Sequence, residues 1–143
     1  MSDVLTYDPK KVVLIYGGRQ ITGFAEDDMI TIRPNGEGMQ LFVGADGEVA
    51  RSIDPNHTFE IEISLSTASK SNTYLSEQYN KDRKTGSNMQ PLLAKDLAGD
   101  TLFYARQAWI SNFPEAARGR AVGSQNWTFQ TGQIDSPIVG GND

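Results

Sequence analysis

Between His57 and Lys84 the spacing of apolar residues changes period once, and the change divides a strand from a helix. Phe59, Ile61, Ile63 and Leu65 alternate with Thr58, Glu60, Glu62 and Ser64. A period of two predicts a strand with one buried and one wet face. From Ser69 onward the period lengthens: Tyr74, Leu75 and Tyr79 share a stripe at helical spacing. Ser69 is the expected N-cap, its hydroxyl accepting from an orphan N–H of the first turn. Asn72 stands where a capping box would place Glu or Gln. Lys81, Arg83 and Lys84 cluster at the end that favours cations, and Gly86 supplies a stop. A helix with one apolar stripe must lay it on a surface, and the surface expected is a sheet built by the rest of the chain.

That sheet is legible as short runs between turn residues. Val12–Tyr16 and Arg19–Thr22 flank Gly17-Gly18 and predict a tight hairpin. Met29–Arg33 runs into the turn Pro34-Asn35-Gly36. Met39–Gly44 and Val49–Ile53 form a second hairpin around Ala45-Asp46-Gly47. Leu92–Asp96, Thr101–Ile110 and Asn126–Gln130 follow as strands. In Thr101–Ile110 a strict alternation puts Leu102, Tyr104, Arg106 and Ala108 on one face, with Phe103, Ala105, Gln107 and Trp109 on the other. Ser111–Gln125 is a loop carrying Arg118 and Arg120, and Met1–Lys10 and Gln133–Asp143 are polar arms. The fold class expected is mainly β: two packed antiparallel sheets, as a sandwich or barrel, with one flanking helix, in a single domain.

Composition narrows the function. The chain has 143 residues and a net charge of -5, a balance that disfavours tight sequence-independent DNA binding. With no cysteine there is neither a disulfide nor thiolate chemistry. The N-terminus lacks the basic and apolar regions of a signal peptide, and no apolar run is long enough for a membrane span. The glycosylation patterns at Asn56 and Asn126 are therefore read as chance.

Candidate chemistry is sparse. The single histidine, His57, lies in a turn without partners for a zinc site or a serine relay. Glu26, Asp27 and Asp28 are adjacent acids without calcium-loop spacing. Glu60 and Glu62 share a strand face as glycosidase carboxylates do, and as those of any wet strand face do. Gly36-Glu37-Gly38 lacks the setting of a dinucleotide loop. Trp109 and Trp127 have alternating neighbours suited to a core or a subunit contact, and offer a stacking platform as the alternative. No catalytic, cofactor or metal site emerges.

Several stretches taken together resemble one family. They are GFAEDDMITIRP, VGADGEVARS, ISLSTASKSNTYLSEQYNKDR, PLLAKDLAGDTLFYARQAWISNFP, NWTF and a late GGN. The chain resembles, from about Val12 to its C-terminus, the short structural proteins that form the tail tube of long-tailed, mostly contractile phages. Lys70 stands where that family often has Pro. The resemblance implies two packed antiparallel sheets with a flanking helix, similar to the tube of type VI secretion systems. It implies hexameric rings stacked into a hollow tube that passes the genome, a structural rather than enzymatic role, and no cofactor. The partners it implies are other copies, a tail sheath, tape-measure, terminator and baseplate proteins, and transient DNA in the channel, with no membrane. The location it implies is the virion tail, after assembly in the host cytoplasm. A carbohydrate-binding β-sandwich using Trp109 or Trp127 is the alternative, and a small hydrolase using Glu60 or Glu62 the third possibility.

Joined to the alternation, the resemblance places Glu60, Glu62 and Ser64 on the channel wall, with Arg33 or Arg51 near enough to offset their charge. The competing expectation pairs those glutamates with cations at a subunit interface. Asp27, Asp28, Trp109, Arg118 and Arg120 are the expected assembly contacts, and edge strands are expected to join the sheets of neighbouring subunits. The arms and one loop, Pro34–Met39 or Ser111–Gln125, are expected to order on ring stacking.

Overall fold

In the computed structural model, which describes residue 4 and residues 7–25 and 29–141, a large sheet wraps around one core and a helix covers its inner face. The strands are β1 (Val12–Tyr16), β2 (Arg19–Ile21), β3 (Ile30–Pro34), β4 (Met39–Val43), β5 (Val49–Ile53), β6 (Phe59–Ser66), β7 (Gln90–Asp96), β8 (Leu102–Asn112) and β9 (Ser124–Thr131). The helix, α1, spans Ser71–Thr85. Seven strands pair in the order β2-β1-β7-β8-β9-β6-β3, and β4 and β5 pair only with each other. Every pairing between these strands is antiparallel. The expected pair of antiparallel sheets with one helix is present. The large sheet does not close into a barrel, since β2 and β3 remain its edges. The second sheet is a bare hairpin whose residues are all exposed.

The large sheet buries its inner row by curling. Tyr16 on β1 and Phe129 on β9 lie three strands apart, which is about 14 Å in a flat sheet. Their ring centroids are 5.0 Å apart. The Tyr16 hydroxyl donates to the Ala108 carbonyl at 3.2 Å, and burial pushes its phenol well above the ordinary value. On β6, Ile61, Ile63 and Leu65 are fully buried, as the alternation predicts, and Ile61 and Ile63 lie opposite Phe129 and Trp127.

The helix enters one residue later than expected. Lys70 occupies the cap position without a side-chain bond, and the Ser69 hydroxyl accepts from Ser71 N–H at 3.2 Å. That hydroxyl also donates to the Thr22 carbonyl at 2.6 Å, while the Ser71 hydroxyl accepts from Thr22 N–H at 3.0 Å, tying the helix start to the end of β2. Gly23 makes this approach possible: its φ is +78, and a Cβ there would stand 2.5 Å from Ser69 Oγ. Asn72 serves as a brace rather than a capping box. Its amide donates to the Ser66 and Ser69 carbonyls, and its oxygen accepts from Trp127 Nε1 at 2.9 Å. Leu75 is buried, Tyr74 and Tyr79 pack on the core, and left-handed Gly86 ends the helix.

Two expectations are corrected. In β8 the alternation breaks: Leu92 faces Ala105 but Gln90 faces Ala108, so β8 carries one extra residue. This bulge exposes both Arg106 and Gln107. Past it the faces exchange, putting Ala108 and Ile110 inside and leaving Trp109 half-buried. The segment after Gln133 is not a free arm through residue 141. Ile134 is 2 % exposed within the core cluster, and its N–H donates to the His57 carbonyl at 3.0 Å. Ile138 bridges Leu102, and the Gly141 carbonyl accepts from Asp100 N–H.

Ile134→Ala should therefore cost about 2–5 kcal/mol in denaturant unfolding, as loss of a buried isoleucine does. A loss below about 0.5 kcal/mol, the size of a surface change, would show that the segment is not part of the core.

Candidate assembly surfaces

Three surfaces are left without cover by any described element. The first is the outer face of β3, β6 and β9. Because Ile61, Ile63 and Leu65 point inward, Glu60, Glu62 and Ser64 point outward. Arg33 sits opposite Glu60 in the β3–β6 ladder, and its fork spans both carboxylates. Nε meets Glu60 at 2.8 Å and Nη2 meets Glu62 at 2.5 Å. These bonds hold the guanidinium above its ordinary value. The polar row continues sideways: the Asn35 amide donates to Thr58 Oγ1 at 3.0 Å and to Gln130 Oε1 at 2.9 Å. With side chains 30–45 % exposed, these ion pairs contribute little to stability.

The second surface is the β4–β5 hairpin. Cross-strand partners share a face, so Met39 and Ile53, Leu41 and Arg51, and Val43 and Val49 form one continuous side. Its five apolar members are each more than half exposed. Arg51 thus lies on the hairpin, with Nη1 3.3 Å from Met39 Sδ, and Arg33 alone accompanies the glutamates. This apolar face escaped the sequence reading, although four of the five residues in MQLFV are apolar. That excess over alternation was the available signal.

The hairpin base is stapled by Asp54. Its Oδ2 accepts from Glu37 N–H at 2.8 Å and its Oδ1 from Asn56 N–H at 2.9 Å. These bonds, the Glu37 one foremost, lower its carboxyl below the ordinary 3.8.

The third surface is the loop between β8 and β9. Arg118 and Arg120 are exposed there and line an open depression of about 570 Å³ with Thr67 and Val122. Trp109 lines a smaller hollow of about 280 Å³ with Tyr79, Asp82 and Arg83. Trp127 is no platform: it is 1 % exposed, bonded to Asn72, and its ring centroid lies 5.3 Å from that of Phe113. His57 is exposed, with its N–H on Gln133 Oε1. Asp27 and Asp28 lie outside the described residues. Among the described residues no group of three His, Cys, Asp or Glu stands close enough to hold a metal. No helix among them is long and apolar enough to cross a membrane.

A lowered carboxyl contributes stability in full above its unfolded value and loses it as pH falls through the folded value. The hairpin base should therefore hold above about pH 4 and loosen below it, seen as shifts of the Glu37 and Asn56 amide resonances. Asp54→Asn should abolish that titration. Shifts centred above 3.8 would contradict the staple.

Known proteins share this sequence and fold. The family described as Bacteriophage PhiTE tail tube protein matches residues 15–140. A structural protein, ORF10, of Pseudomonas phage KPP10 is 25 % identical over 142 residues, covering 89 % of this chain and 82 % of that protein. Among solved structures, the tube-terminating cap of the anti-feeding prophage superposes with a TM-score of 0.64 at 10 % identity, over 96 % of this chain and 95 % of that one. A chain of the sheath–tube complex of the PVC extracellular contractile injection system, in its extended state, gives 0.63 at 10 % identity and 93 % coverage of both. A chain of that system's sheath/tube terminator structure gives 0.64 at 10 % identity, over 94 % and 98 %.

Proposed function

The chain belongs to the bacteriophage PhiTE tail tube protein family, and from that premise we propose that it polymerises as stacked hexameric rings into the conduit through which a phage genome leaves. The family is a structural one, and the chain is a component of the phage tail. The observation that carries the proposal is the β4–β5 hairpin. An isolated two-stranded sheet is at best marginally stable in water. This one exposes every residue and presents a side on which five of the six residues are apolar. Such a surface is covered in obligate assemblies, and the expected cover is another copy of the chain, in an interface at or above roughly 2,000 Å² per contact.

The rest of the assembly follows from the same surfaces. Edges β2 and β3 are open for the sheets of ring neighbours to extend. The outer face of β3, β6 and β9 then lines the channel with Glu60, Glu62, Ser64 and Arg33. Two carboxylates and one guanidinium leave one negative charge per subunit on this cluster. Like charge keeps phosphate from lasting contact with the wall. Residues 1–10 add contacts between rings. The partners are a sheath, a tape measure, a terminator and a baseplate. Subunits assemble in the host cytoplasm before joining the virion.

Concentrated protein at moderate salt should show rings or tubes by negative-stain microscopy. A species that light scattering finds strictly monomeric would overturn the proposal. Glu60→Lys with Glu62→Lys should leave rings intact and slow genome ejection, because three cations would then meet DNA at each subunit. Ejection at the wild-type rate would remove this face from the channel.

A further inference from the structure

We propose that copies of the chain stack head to tail, the acidic hairpin tip of one copy seating against Arg118 and Arg120 of the next. This rests on the tube-forming function proposed above and names the two surfaces that meet. They lie at opposite ends of the molecule. The hairpin leaves the large sheet between Pro34 and Phe59, which pair with each other at the start of β6. The loop bearing the arginines enters β9 at Ser124, which pairs with Ser66 at the other end of β6. The seven residue steps of β6 between these ends span about 23 Å.

The tip acids and the two arginines have opposite charge, and no described residue forms a salt bridge with either. At the tip, Asp46 Oδ1 accepts from Glu48 N–H at 3.0 Å, which leaves Oδ2 and the exposed Glu48 carboxylate facing water. In the loop, Arg118 Nη1 donates to its neighbour's carbonyl, that of Ala117, at 2.9 Å. Among the described residues the salt bridges are those of Arg33, so neither the tip acids nor these arginines pair with another described residue. The arginines border the open depression of about 570 Å³, and Val122 connects it to a second hollow of about 490 Å³ that Phe24 and Ala25 also line. Arginines beside Ala121, Val122 and Phe24 suit a tip that carries acids at its turn and Val43 and Val49 just behind it. Unlike surfaces at opposite ends pair head to tail, and the rotation between copies need not close. They repeat as an open filament, the symmetry that a stack of rings requires.

Charge exchange tests the pairing. Asp46→Lys with Glu48→Lys, or Arg118→Glu with Arg120→Glu, should raise the concentration needed for stacking by about tenfold or more, while single rings persist. The chain carrying all four substitutions should stack again within about threefold of wild type. Asp46→Asn, which keeps the Oδ1 acceptor, combined with Glu48→Gln should weaken stacking in the same direction without disturbing the turn. Either charge-reversed pair stacking like wild type, or a fourfold variant no better than the weaker pair, would overturn the proposal. Wild-type protein that forms neither rings nor tubes would instead refute the tube function itself.

Discussion

The inward row of β6 sets the register on which the other surfaces depend. Ile61, Ile63 and Leu65 are each completely buried, and each contributes about 1.5–3 kcal/mol by leaving water. A slip of one residue would expose all three and bury Glu60 and Glu62, so the register has no close competitor. Its partners follow from it. Phe129 and Trp127 stand opposite Ile61 and Ile63, and Trp127 in turn is anchored by Asn72 at the helix entrance. Strand, sheet and helix are thus locked by one alternation. The same alternation delivers the glutamates to the outer face, where Arg33 on β3 clasps both.

The hairpin obeys the opposite condition. Its strands make a regular ladder, yet no residue in them is buried. Backbone pairing alone does not hold two strands in water, and the staple by Asp54 secures only the base. No described element supplies the remaining stabilisation, and in the assembly proposed above another copy does. In that proposal the hairpin is folded enough to dock and incomplete until it does. Membership in the tail tube family supplies the context for that proposal.

Much of this was legible in the sequence where local rules operate alone. The β6 alternation, the helical stripe of Tyr74, Leu75 and Tyr79, the stop at Gly86 and both glycine-bearing hairpins stand where the pattern put them. What escaped depended on contacts distant in the chain. The extra residue in β8 is defined by its ladder with β7, and nothing in TLFYARQAWI announces it. Ile134 is buried because the chain returns past His57, and an isolated apolar residue in a polar tail does not show that. Trp127 is unavailable to a ligand because of Asn72, which lies on the helix rather than beside it in sequence. Among the candidate site residues, Arg33 pairs with both glutamates, whereas Arg51 lies on the hairpin. Turn chemistry showed where the hairpin was, but only the assembled sheet shows that no described element packs on it.

Hydrogen exchange of the backbone amides, compared between isolated subunits and assembled tubes, tests the central claim most directly. The amides of β6 should be protected in both states, because their ladder lies within one chain. The amides of β4 and β5 should exchange quickly in the subunit and become protected in the tube. A hairpin already protected in the isolated subunit, or one still exchanging freely after assembly, would contradict the account that another copy completes it.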